Sequence, residues 1–127
     1  MCVVAGAATF AALSGCTVNS HRDAVSGVAR TFVARVEAGD GSGACALLTD
    51  EARSSVPGAT DASCPEAITG VKEHGKRISG VQVWGDAAQV HIGDDVLFLR
   101  RMSGRWQVSA AGCTPRPAQP YDCEVAG

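Results

Sequence analysis

The chain has 127 residues, room for one domain, and its 46% hydrophobic against 19% charged residues supports a packed core and excludes a wholly disordered chain. A net charge of -2 and a pI near 5.8 remove the electrostatic case for nucleic acid. No stretch reaches the ~18 consecutive apolar residues that a membrane-spanning helix needs.

Every charged residue lies at or after Arg22. The preceding "VVAGAATFAAL" (Val3 to Leu13) has the length of a signal-peptide apolar region. It ends at Leu13-Ser14-Gly15-Cys16, which resembles the lipobox of bacterial lipoproteins, where small residues admit the peptidase in front of the cysteine. That resemblance implies a signal peptide over residues 1–15, a diacylated Cys16 and a lipidated tether over 16–21. The leader lacks the usual Lys or Arg, which a start further upstream would supply, and Cys2 would then belong to the leader.

With Cys16 acylated, Cys45, Cys64, Cys113 and Cys123 remain. An even number of thiols in an exported domain reads as two disulfides with three connectivities open, and pairing nearest neighbours closes the shortest loops. A zinc site is the rival, but no CxxC or HxxxH spacing occurs, so no metal and no cofactor is expected.

After the tether, Ser20 stands three residues before Asp23 as an approximate capping box. Val25, Val28, Ala29, Phe32, Val33 and Val36 then recur at helical spacing, and Gly39 is a natural stop. "GDGSG" (Gly39 to Gly43) follows a helix rather than a strand and lacks Lys, so it reads as a linker and not a phosphate loop. Ala44 to Leu48 is a short second helix. Ser63-Cys64-Pro65-Glu66 opens a third.

From Ile78 the period becomes two. Gly85-Asp86, Gly93-Asp94 and Ser103-Gly104 suit two-residue hairpin loops. That register gathers Val81, Val83, Ala88, Val90, Ile92, Leu97, Leu99, Trp106, Val108 and Ala110 on one face, broken only by Arg101 at an end. The other face holds Gln82, Trp84, Gln89, His91, Val96, Phe98, Arg100, Met102, Arg105, Gln107 and Ser109. The expected domain, residues 22–112, is α+β: three N-terminal helices packed on one face of a four-stranded antiparallel meander. Residues 113–127, "CTPRPAQPYDCEVAG", carry three of the five prolines and read as a disulfide-pinned loop over the end of the sheet.

The order of helices before a meander is similar to the cone-like nuclear transport factor two-like (cystatin-like) superfamily. "AAGCTPRPAQPYDCEVAG" and "VQVWGD", taken with the lipobox, resemble a family of small actinobacterial lipoproteins over nearly the whole chain. That resemblance implies a place at the outer face of the cell membrane and a fold. It implies no activity, because one fold hosts enzymes, binders and inert scaffolds.

Catalysis in such a cone needs a base on the concave face, which here offers only apolar side chains and Arg101. His91 falls on the outer face, His21 in the tether and His74 in a turn. Asp94 and Asp95 share a solvated turn, Tyr121 lies in the tail, and no nucleophile-elbow pattern places a serine. The reading is therefore a non-catalytic envelope lipoprotein binding a protein partner, a second copy or a small apolar ligand. The alternative is a small isomerase- or hydrolase-like enzyme drawing polar groups from the second helix or the tail. Aromatic residues, methionine and arginine without acids make Trp84, Val96, Phe98, Arg100 and Met102 the candidate interface.

Overall fold

A computed structural model describes residues 13–56, 63–71 and 77–127, with side chains from residue 19 onward. Residues 1–12 of the expected leader, His74 and the side chain of Cys16 lie outside the described residues.

The first helix, α1 (Leu13–Glu37), is 25 residues long. It begins well before the expected cap, so residues 16–21 are helical rather than an extended tether, and Ser20 and Asp23 are interior positions. No proline lies between Leu13 and Asp23, so nothing in that stretch removes a helical N–H or forces a break. The stop falls where expected. Gly39 has φ 72°, its N–H donates to Val36 O at 3.1 Å, and the Asp40 N–H donates to Arg35 O at 2.9 Å. These two bonds are the pair that closes a helix through a left-handed residue.

Three very short helices follow: α2 (Gly41–Cys45), α3 (Asp50–Ser54) and α4 (Cys64–Ala67), the last continued by a 3-10 turn at Ile68–Gly70. Asp40 caps α2 by accepting from the Gly43 N–H at 3.0 Å, which converts most of the expected linker into helix. Gly41 has no alternative. A Cβ there would lie 1.8 Å from the Pro65 carbonyl oxygen, so only glycine lets α2 meet α4.

The sheet is a single five-stranded antiparallel meander in the order β1 (Ile78–Trp84), β2 (Ala87–Ile92), β3 (Asp95–Met102), β4 (Arg105–Arg116), β5 (Gln119–Ala126). This overturns the expected architecture of three helices on four strands, and the cone attached to it. The sheet has five strands instead of four, one helix is long, and the other helices are four or five residues each. The tail expected as a loop is the fifth strand and the turn leading into it. Its prolines fit because of where they fall. Pro117 lies between β4 and β5, Pro115 at an irregularity between Thr114 and Arg116, and Pro120 on an edge strand, where no inner ladder bond is lost.

The first three strands pair in the expected register: Val83 with Ala88, Val81 with Val90, Val90 with Leu97 and Ala88 with Leu99. Between β3 and β4 the register holds for Arg101 with Trp106 and Leu99 with Val108, then breaks. Ala110 pairs with Phe98 rather than Leu97, and Cys113 pairs with Val96. Each step adds a residue to β4, and an inserted residue reverses which face the following side chain joins. Ala110 accordingly leaves the inner face. Gly112, at φ 63°, lies within the second irregularity, and a Cβ there would come 2.7 Å from the Glu124 carboxylate.

The main core lies between α1 and the inner face. Val25, Ala29, Phe32, Val33 and Val36 pack with Val90, Ile92, Leu97, Leu99, Trp106 and Val108. The first part of β4, which β5 does not reach, is covered by the chain itself. Thr49 N–H donates to Val108 O at 2.9 Å and Val108 N–H to Leu47 O at 2.7 Å.

Candidate functional surface

The four cysteines expected to bridge do so in nearest-neighbour pairs. Cys45 and Cys64 join α2 to α4 with Cα atoms 6.2 Å apart, and Cys113 and Cys123 join β4 to β5 at 3.9 Å. Asp40 sits at the same helical corner as the first bridge. The Gly43 N–H, and next the Arg35 guanidinium, hold its carboxyl below the ordinary carboxylate range.

The second bridge organises the outer face. It belongs to a small separate cluster of Val96, Ala110 and Cys113, against which Phe98 and Cys123 pack. Tyr121 lies edge-on to Phe98, ring centroids 5.2 Å apart, and its hydroxyl accepts from the Gln89 amide at 3.2 Å. Gln89 is on β2, so the outer end of the β4–β5 hairpin folds back across β3. The same amide is 3.2 Å from His91 Nε2.

This divides the five candidate interface residues. Val96 is 2% exposed and offers no area to a partner; Phe98 is half-buried beneath Tyr121. Trp84 and Met102 are 53% and 45% exposed, and Arg100 is exposed beside them. The division has a physical cause, the two irregularities in β4 that swing the hairpin over one half of the face. Sequence reasoning gave Tyr121 no role; an aromatic among prolines two residues before a bridged cysteine was the signal that could have found it.

The open half is a shallow depression of about 290 Å³ lined by Trp84, Asp86, Ala87, Arg100, Arg101 and Met102. Arg101, at the β3–β4 turn end of the inner face, is satisfied at the rim. Its Nε donates to Asp86 Oδ1 at 2.9 Å, Nη2 lies 2.7 Å from the same oxygen, and its N–H donates to Asp86 O at 2.8 Å. Arg100 and Arg105 have no ion pair among the described residues.

His21, on α1, meets the ring edge of Trp106 at 5.9 Å between centroids. Asp94 is exposed in the β2–β3 turn, and Asp95 beside it is buried, not solvated as the sequence implied. Among the described residues no group of three or more His, Cys, Asp or Glu could hold a metal ion, and no helix is long and apolar enough to cross a membrane. No protein-family model, curated protein or solved structure matches the chain.

Proposed function

We propose that the chain is an envelope lipoprotein, anchored through Cys16 at the outer face of the cell membrane, whose folded body is non-catalytic and acts by binding at the open half of its outer sheet face. The observation that carries this reading is the pair of disulfides within one small body, Cys45–Cys64 and Cys113–Cys123, bonds that persist in oxidising compartments outside the cytoplasm. The apolar leader ending at Leu13-Ser14-Gly15-Cys16 supplies the anchor. Binding is favoured over chemistry because Trp106 and its inner-face neighbours are packed into the core against α1. Among the described residues the most exposed large apolar groups, Trp84 and Met102, stand instead on the opposite face.

Fractionation tests the anchor. The wild-type protein partitions with membranes and carries the added mass of its acyl chains, whereas Cys16→Ser accumulates as unprocessed precursor or as soluble exported protein. Equal mass and equal location of the two would remove the lipoprotein reading.

A further inference from the structure

The direction of α1 relates the proposed anchor to the open surface. Near its start, His21 lies against Trp106, which pairs with Arg101 close to the β3–β4 turn. Near its end, Arg30, Val33, Ala34 and Glu37 share a depression with Ile78 and Ile92, which pair at the opposite end of the sheet. The helix therefore starts at the end of the sheet that carries Trp84, Arg100, Met102 and Arg105. Cys16 precedes His21 by five residues of continuous helix, a rise of about 7.5 Å, with no flexible tether between them.

We propose that this end of the molecule faces the bilayer, and that the surface formed by Trp84, Met102, Arg100 and Arg105 seats on anionic phospholipid headgroups. The inference rests on the lipoprotein reading and names the occupant of its binding surface. Its chemistry matches that occupant. Tryptophan is enriched at the level of lipid headgroups, where an apolar ring and a polar N–H are both satisfied. Arginines without acidic partners are drawn to anionic lipid, and the nearby Asp86 is already held by Arg101. Each contact is weak alone. Attachment at Cys16 makes them intramolecular, so a small surface suffices to fix the orientation of the body.

The test uses the detergent-solubilised lipidated protein reconstituted into vesicles of three parts phosphatidylcholine to one part phosphatidylglycerol, with bromine on the phosphatidylcholine acyl chains. The difference in fluorescence between wild type and Trp84→Phe isolates Trp84 from Trp106. The Trp84 component should be blue-shifted and quenched by the brominated chains. In Arg100→Glu/Arg105→Glu, an exposed pair whose circular dichroism and thermal transition should match wild type, the quenching should fall by about half or more. A lipidated, vesicle-bound protein whose Trp84 emits as in water overturns this orientation while leaving the anchor intact. Cross-linking of Trp84-face residues to a second copy or another protein would assign the surface to a protein partner, and would likewise overturn the orientation. If wild type carries no lipid, the anchor reading and this inference fail together.

Discussion

Asp40 serves two neighbours at the corner where α1 ends and α2 begins: it accepts from the Gly43 N–H at 3.0 Å and pairs with Arg35. Both interactions favour the charged carboxylate and lower its pKa below the ordinary 3.8. A group whose folded pKa is depressed contributes stability in full above its unfolded value and loses it as pH falls through the folded one. Asp40→Asn keeps a capping oxygen and removes the charge. Its thermal transition should lie modestly below wild type at neutral pH, with a constant gap down to about pH 5 and a closing gap below the ordinary carboxylate value. Melting curves across that range check the sign; a gap that widens in acid would mean the charge is not what Asp40 contributes. The fixed corner matters because the same few residues bring Gly41 against Pro65 and Cys45 against Cys64.

At the scale of elements, the β4–β5 hairpin depends most on a covalent link. The Cys113–Cys123 loop spans ten residues and contains three prolines, which donate no backbone hydrogen bond of their own. Replacing both cysteines with serine should cost about 2–3 kcal/mol, a fall in Tm on the order of 10 °C, measured by calorimetry against wild type under non-reducing conditions. The Phe98–Tyr121 contact should loosen with it, visible as increased exposure of Tyr121. This hairpin is also where sequence pattern stopped predicting structure. Alternation and two-residue turns placed β1 to β3 because both are local and strictly periodic. The shift at Ala110 was illegible, because an inserted residue leaves no mark in an alternating run of small side chains such as Ser109-Ala110-Ala111-Gly112. Three prolines in fifteen residues argue for a loop, yet an irregularity, a turn and an edge strand tolerate one each. The long start of α1 was missed for the opposite reason: a capping pattern at Ser20 was legible but not used. Among site residues, the disulfide pairing was readable from spacing. Which half of the outer face stays open depended on the bend in β4, which was not.

At the scale of the molecule, the sheet has three environments. Its inner face is closed by α1, one half of its outer face is closed by its own terminal hairpin, and the other half is open. Phe98 and Trp84 sample the two outer halves from the same side of the sheet. Phe98 stands on the small cluster of Val96, Ala110 and Cys113 beneath Tyr121, so Phe98→Glu would place a carboxylate where its neighbours are apolar. Losing that packing and burying part of a charge should destabilise the protein by about 2–4 kcal/mol. Trp84→Glu, at a side chain 53% exposed, should shift stability by no more than about 0.5 kcal/mol. Thermal melts of both variants, followed by circular dichroism and by dye binding to exposed apolar surface, separate the two halves. If Phe98→Glu melts like wild type, the hairpin is not a cover and the whole outer face is open to binding. If Trp84→Glu unfolds the protein, its ring supports the fold and the open surface shrinks to Met102 and the two arginines, too little to orient a body on a membrane. The expected result, Phe98 needed for folding and Trp84 dispensable to it, leaves Trp84 free to serve the interface.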